Sequence, residues 1–442
     1  MTRPIRPPVT TVTGPAAEHP SDGARRGGAT ERGSHLLHTY AVLVMILGTG
    51  AFFPMIPGDT QSLVFAMWAC AYLVAVVGLL DDRFRKRRKI ALPVTLALMG
   101  GLAVASVLWS VAPDLTLRRG IGLVGTILVG VYLARRLSPP ELFDALRRAV
   151  LLVTLASLLL YASGSALALD EVHGTLRGVL PTKNTLGRIV ALGVLAASAV
   201  AIMDERRRRG AAFSAMVMMA ALALTASTGG MVLAAAVLGV AAAILLAAHP
   251  RGKAAVAGLA TVVLAALVAF LPGTNAQQVT AAVGEDVTLT GRTEIWAFAL
   301  EAFALRPTLG YGYGAFWHED FGPPEAHRIR GYLQWDVPSG HNGLLDVALD
   351  LGVVGAVVAV VALTGLLIRG AVDLRSGRAN LGALRLSVAG VTIVSNLAET
   401  GLFQLNTIYT VLLVAAVAAR PPELTPQLHR RRPPSRSRRG SS

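Results

Sequence analysis

Apolar residues in this chain are gathered into long blocks, not spaced at the interval of a soluble amphipathic helix. A helix needs about 20 mostly apolar residues to cross roughly 30 Å of hydrocarbon. Twelve blocks approach that length: 38–57, 61–80, 90–111, 120–134, 149–169, 187–203, 211–226, 229–248, 254–271, 344–368, 381–398 and 403–419. The fourth and seventh are short and need tilt or flanking residues to span. The pattern predicts an all-α polytopic membrane protein of about 12 transmembrane helices. Residues 1–37 lack any apolar period and read as a disordered basic tail, 38–419 as the membrane domain, and 420–442 as a second disordered basic tail. Within the membrane domain, 272–343 is a large extracytoplasmic loop between the ninth and tenth spans. The first block is too long to be a removed signal peptide, and no small-residue cleavage site follows it.

Composition sharpens this picture. Of 442 residues, 53% are hydrophobic and 15% charged, against about 25% charged in ordinary globular domains. The one cysteine, Cys70, excludes an intramolecular disulfide framework and a cysteine-rich zinc site. The net charge of +15 fits nucleic acid, an acidic surface, or topology signals beside membrane spans, and its distribution decides. Alternate connections, including both tails, hold 31 of the 41 Lys and Arg residues; the other set holds 9, and Arg385 lies inside a span. The positive-inside bias therefore places both termini in the cytoplasm. The basic tails read as topology and attraction to anionic headgroups. No recognition fold accompanies them, so nucleic acid is not expected as a partner.

Three outside segments hold most of the remaining chemistry. In Trp109-Ser-Val-Ala-Pro-Asp-Leu-Thr-Leu-Arg-Arg-Gly120, Asp114 and Thr116 can cap a helix that begins with Arg118 and Arg119. Arginines there oppose the macrodipole unless an anion relieves them; the alternative is a structural turn with interfacial anchors. In Arg177-Gly-Val-Leu-Pro-Thr-Lys-Asn-Thr-Leu-Gly-Arg188, Lys183 and Arg188 stand where the chain re-enters the membrane. Asn184 and Thr185 can cap the sixth span, and free N–H groups beside cations suit a phosphate; the alternative is ordinary snorkelling. The third segment is the long loop. It opens with Leu289-Thr-Gly-Arg-Thr-Glu-Ile-Trp296, followed by a helical stretch carrying Ile295, Phe298, Ala302 and Leu305 on one side and stopped by Pro307. Gly310-Tyr-Gly-Tyr-Gly-Ala-Phe-Trp317 follows, and its aromatics Tyr311, Tyr313, Phe316 and Trp317 either stack on sugar rings or close a loop core.

The loop ends at Ser339-Gly-His-Asn-Gly-Leu-Leu-Asp346. His341, between Gly340 and Gly343, can accept a proton near neutral pH and suits a general base. A lone loop histidine is commonly structural, but Arg292, Lys183 and the aromatics share its face. Few ionisable residues lie within spans, chiefly Asp346, Asp350, Arg385 and Glu399, and Asp350 follows Asp346 by one turn, so both can face a polar cavity. Asp81-Asp82 lies among basic residues and reads as a topology flank, not a metal pair. No HExxH, GxSxG, Walker A or cysteine–histidine ligand spacing is present.

The segments WSVAPDLTLRRG, RGVLPTKNTLGR, GRTEIW, GYGYGAFW and HNGLLDVALDLGVVG occur, in this order, over roughly residues 105–360. The ordered set resembles the O-antigen ligase and Wzy-type polymerase superfamily, and looks most similar to its exopolysaccharide-polymerase (ExoQ-like) branch. That resemblance implies a GT-C-type glycosyltransferase of a bacterial inner or plasma membrane, needing neither metal nor cofactor. It would use polyprenyl-diphosphate-linked oligosaccharide outside the membrane, with an acceptor glycan and other polysaccharide export proteins as partners. By resemblance, Lys183 and Arg292 hold the donor diphosphate and His341 deprotonates the acceptor hydroxyl, with Asn184 and Asn342 among the binding residues. Pro181-Thr182 stands where relatives often have Gly-His, and Ser227-Thr-Gly-Gly230 lacks the arginine many members carry after the serine. Arg177, Arg188 or Arg119 are the substitutes for the diphosphate clamp. The runner-up is a ligase moving finished glycan to a lipid or protein acceptor. A twelve-span transporter and a non-catalytic scaffold are the readings from other classes.

Overall fold

The computed structural model describes residues 20–58, 60–84, 92–171, 174–247, 292–334 and 336–421. The predicted ninth span, residues 1–19, the chain beyond 421 and the loop as far as Gly291 lie outside the described residues. So do the basic residues at 85–89 and 251–253, which are expected in the cytoplasm.

Within the described residues the chain is helical, with one isolated antiparallel bridge between Leu169 and Leu176. The helices are α1 (Pro20–Thr49), α2 (Gln61–Phe84), α3 (Val94–Ala105), α4 (Pro113–Arg136), α5 (Pro139–Ala162), α6 (Lys183–Met203), α7 (Arg208–Thr225) and α8 (Thr228–Ala247). They continue with α9 (Arg292–Leu305), α10 (Pro324–Leu333), α11 (Gly343–Arg375), α12 (Ala379–Ala398) and α13 (Ile408–Ala418). Every predicted span except the ninth meets a helix. Five stretches are long and apolar enough to cross a membrane by length and composition: Gln61–Asp82, Pro113–Arg136, Pro139–Ala162, Lys183–Met203 and Gly343–Arg375.

Several boundaries differ from the sequence reading, each for a local reason. α1 begins at Pro20, so residues 20–37 of the stretch read as a disordered tail are helical; a helix nucleated by a span propagates outward at little cost. α4 is not short, because Pro113 starts it and Arg135 and Arg136 end it. At 24 residues it is about 36 Å long. Its N-cap is Ala112, not Asp114 or Thr116. Proline fits the first helical position, while the buried Thr116 hydroxyl bonds Ser110 Oγ at 2.7 Å. α5 opens on Ser138, whose N–H and hydroxyl both donate to Glu141, at 2.8 and 2.7 Å. In α9 the buried face is Ile295, Ala299 and Ala302, whereas Leu305 is 65% exposed. The last span begins only at Ile408, since Phe403 and Asn406 take left-handed backbone in the preceding turn.

α6 is the most enclosed of the five long apolar stretches and packs against α5, α7 and α8; α11 pairs with α12, and α4 with α13. Glycines allow the closest approaches: a Cβ at Gly230 would stand 2.8 Å from the Gly187 backbone. A second, smaller core lies under the loop, where Ile295, Tyr311, Phe316, Ile329 and Val337 pack against Leu349.

α11 is broken at Gly352, where φ is 66° and ψ −167°. The Tyr311 and Gly312 N–H groups donate to the Leu349 and Asp350 carbonyls at 2.8 and 2.9 Å. In return, the Val353 N–H donates to the Pro307 carbonyl at 2.7 Å. The loop backbone is thus spliced into the helix, and groups freed by the break find partners there, as buried backbone requires. A side chain at Gly352 would strike the Thr308 backbone and demand left-handed backbone as well.

Candidate functional site

The starts of α6, α9 and α11 and the end of α12 meet at one end of the bundle. There α12 ends and Glu399 follows it in extended backbone. Its carboxylate draws three cationic or basic side chains from three other elements. Arg188, in the second turn of α6, approaches Oε2 at 3.4 Å. Arg292, at the start of α9, reaches Oε1 at 3.3 Å. His341 Nδ1 lies 3.2 Å from Oε2. Glu399 is 18% exposed, and its three partners are similarly half-sheltered. Burial alone would push the Glu399 carboxyl up, but the His341 hydrogen bond and the charges of Arg188, His341 and Arg292 hold it below the ordinary glutamate range. An ionised Glu399 can only accept, so Nδ1 carries the proton and Nε2 is the basic nitrogen.

His341 itself has left-handed backbone, φ 49°. Asn342 follows as the N-cap of α11, its Oδ1 accepting from the Leu344 and Leu345 N–H groups. The Tyr409 hydroxyl, at the start of α13, is buried with no hydrogen-bond partner among the described residues, within electrostatic reach of Arg188 and Glu399. Buried polar groups are rarely left so.

The α6 entry is built differently from the sequence expectation. Thr182, not Asn184 or Thr185, is the N-cap, and its Oγ1 accepts the Thr185 N–H at 3.1 Å. Asn184 Oδ1 instead accepts from the buried Ser227 hydroxyl at 3.0 Å, and Ser227 Oγ also accepts the Gly230 N–H. This ties the start of α6 to the start of α8, four residues before Arg188. Lys183, the first residue of α6, makes no hydrogen bond or ion pair with the described residues.

Beside the Glu399 cluster is a cavity of about 560 Å³, lined by Arg119, Tyr313, Trp317, Asp346, Asp350 and Asn406 among others. Asp346 Oδ1 accepts the Trp317 Nε1–H at 2.7 Å and the Gly340 N–H at 2.9 Å, while Thr400 donates to Oδ2. Asp350 accepts the Gly314 N–H at 2.8 Å, and Arg119 donates to the Gly314 carbonyl. Both aspartates face this cavity, as their one-turn spacing predicts. Residues 339–341 and 399–400 connect the cavity with the cluster.

The aromatic segment is mostly not displayed. Tyr311, Tyr313 and Phe316 are buried. The Tyr311 hydroxyl donates to the Ala302 carbonyl and Tyr313 to Phe403, both at 2.8 Å. Burial also raises the Tyr313 phenol, keeping it a neutral donor. The loop-core alternative therefore describes Tyr311 and Phe316, and a sugar-stacking role is corrected for Tyr311. Tyr313 and Trp317 each present an edge to the cavity. Arg177 is engaged in holding its own loop, donating to the Leu167 and Pro181 carbonyls at 3.1 and 3.2 Å.

Of the expected site residues, the structure brings together Arg188, Arg292 and His341. It sets Arg119, Tyr313 and Trp317 at the neighbouring cavity, and leaves Arg177, Asn342 and Tyr311 in supporting contacts. Sequence reasoning placed Glu399 only among the interior ionisable residues and passed over Tyr409. An acidic residue ending an apolar block on the outer face was the available signal for the first. Among the described residues, no group of three or more His, Cys, Asp or Glu side chains is placed to hold a metal ion.

A helical bundle with a basic, histidine-bearing cluster at one end of its spans defines a polytopic membrane protein with a polar site beside the membrane. The O-antigen ligase family model matches residues 213–360, which include Arg292, the aromatic loop and His341. The chain is also 29% identical over 272 residues to the exopolysaccharide production protein ExoQ of Rhizobium meliloti, covering 59% of this chain and 61% of that protein. Together these matches support an O-antigen ligase/ExoQ-like assignment. The helices long and apolar enough to cross a membrane accord with a multi-pass membrane protein.

Proposed function

We propose that this protein is a GT-C-type glycosyltransferase with about twelve transmembrane helices, both termini cytoplasmic and the Glu399 cluster facing the exterior. It transfers polyprenyl-diphosphate-linked oligosaccharide to an acceptor sugar hydroxyl and so polymerises an exopolysaccharide. The observation that carries this reading is the convergence of Arg188, Arg292 and His341 on one carboxylate at the end of the bundle.

The acceptor oxygen attacks the anomeric carbon in line, which inverts its configuration. The bond from that carbon to the phosphate oxygen breaks, and its electron pair leaves with the polyprenyl diphosphate. The hydroxyl proton passes to His341 Nε2. Glu399 orients the imidazole and stabilises the imidazolium that forms. The leaving group is already good, so the cations chiefly hold its growing charge and position it. Arg188 and Arg292 contact Glu399 at 3.3–3.4 Å, longer than the 2.7–2.9 Å of a strong charge-assisted bond. Both can therefore turn toward a diphosphate, with Lys183 and the Tyr409 hydroxyl as further donors. The neighbouring cavity, with Trp317 and Tyr313 beside Asp350, takes the acceptor glycan. Metal is not required, since three cations neutralise the diphosphate.

The description of the family model favours a second reading, an O-antigen-type ligase that moves finished glycan onto a lipid or protein. Incubating the purified protein with a synthetic polyprenyl-diphosphate repeat unit, with and without chelator, separates the two. A chelator-resistant ladder of repeat units is expected. A single transfer onto a lipid or protein acceptor supports the ligase, and no transfer to any hydroxyl acceptor overturns both.

A further inference from the structure

At the opposite end of the bundle, a cavity of about 490 Å³ opens between the start of α3, the ends of α11 and α13, and the start of α12. Four guanidiniums line it (Arg369, Arg378, Arg385 and Arg420) against one carboxylate, Asp373. The rest of its wall is largely aliphatic, including Val372 and Val417.

Part of this charge has a structural task. Arg385, with its side chain 7% exposed, donates Nη2 to the Ala419 carbonyl at 2.6 Å and Nη1 to Asp373. It thus satisfies a carbonyl at the C-terminus of α13. Arg378 Nε donates to Asp373 at 2.7 Å. Asp373 is thereby taken by two arginines, while Arg369 and Arg378 both repel Arg385. Arg369 is exposed and makes no hydrogen bond or ion pair with the described residues. Topology needs basic residues near a span end, but it does not need four of them converging on one concave, half-apolar space. Asp373 answers Arg378 and Arg385, and guanidinium forks opening on such a space match phosphate oxygens.

The structure assigns this cavity as a binding site for a phosphate anion, set at the level where α11 and α13 leave the apolar layer. Basic pockets between helices with an apolar wall suit a phosphate carried by a lipid headgroup; a free phosphate offers the same chemistry. The bound anion braces the α11–α12 turn against the ends of α3 and α13, independently of the reaction at the other end.

Thermal unfolding of the full-length protein tests this in nanodiscs of phosphatidylglycerol and of phosphatidylcholine, the second set with and without inorganic phosphate. Phosphatidylglycerol is expected to raise the wild-type midpoint by roughly 3 °C. The Arg369→Gln/Arg420→Gln variant is expected to lose that advantage, and Arg206→Gln/Arg209→Gln, which removes the same charge from the exposed α7 entry, to keep it. Stabilisation by inorganic phosphate in phosphatidylcholine, lost in the same variant, identifies a free anion as the ligand instead of a lipid. Equal midpoints in all three conditions overturn the assignment. So does an advantage that survives Arg369→Gln/Arg420→Gln, or one that both double variants lose equally.

Discussion

Two carboxylates, one at each end of the bundle, gather arginines and a histidine in opposite styles. Asp144, on α5, is 1% exposed and accepts from Arg147 at 2.6 Å, Arg148 at 2.9 Å and Arg207 at 2.5 Å, with His38 at 3.6 Å. Arg147 is itself fixed by the Ser214 hydroxyl at 2.7 Å. Glu399 is 18% exposed and holds Arg188, Arg292 and His341 at 3.2–3.4 Å. Short bonds around a dry carboxylate lock helices together, since losing either partner strands a buried charge. Longer, partly wetted contacts cost little to exchange for an anionic ligand. Cation count alone does not separate the two sites; distance and water access do.

That contrast can be broken at several points. The largest effect is expected for His341→Ala, which removes the proposed base: transfer should fall about 10²–10⁴-fold while the unfolding midpoint barely moves. Near-normal polymer in a transfer assay would remove His341 from the chemistry. Asp144→Ala should do the converse, costing about 3–5 kcal/mol of stability, with transfer per folded molecule unchanged. Detergent-phase thermal unfolding reads this, and an unaltered midpoint would show that the cluster locks nothing.

Glu399→Gln keeps an acceptor for Nδ1 but loses the charge that stabilises the imidazolium. Transfer should drop roughly 10–100-fold, with a stability change below about 1 kcal/mol. A Glu399→Gln protein that unfolds as readily as Asp144→Ala would erase the distinction between the ends. Tyr311→Phe removes only a buried bond to Ala302 and should cost about 1 kcal/mol without slowing transfer; a slowed reaction would return that ring to the glycan.

The smallest effect concerns pH. Because the Glu399 carboxyl sits below its ordinary range when folded, its contribution is complete above that range. It is lost progressively as pH falls from that range to the depressed value. The midpoint difference between wild type and Glu399→Gln should therefore be constant above the ordinary glutamate range, narrow as pH falls through it, and close at the depressed value. Closure at higher pH would mean that the cations do not act on this carboxyl.

Spans were legible because burial in lipid imposes apolar length on a local stretch of chain, and His341 and Arg292 because their segments carry a family's order. Partnerships were less so. Which of Thr182, Asn184 and Thr185 caps α6 depends on where the turn at Pro181 releases the chain, and Asn184 was claimed by Ser227 on another helix. Tyr311 is flanked by glycines like a displayed residue and Phe316 belongs to the same glycine-rich segment, yet the second core under the loop takes both in. Glu399 sits far along the chain from every group it binds. Contacts of that separation leave no local pattern, and the same holds for the break at Gly352, which lies inside a stretch long and apolar enough to span.

The splice at Gly352 also sets an order of events during synthesis. Residues 307–312 emerge from the ribosome before Leu349, Asp350 and Val353, so the loop backbone must wait for its partners. Only when α11 has been made and seated can the loop close its hydrogen bonds, and with them the floor beneath Trp317 and Tyr313. That cavity is therefore among the last parts of the molecule to mature. A nascent chain halted before residue 349 would carry Arg188 and Arg292 without the cavity beside them.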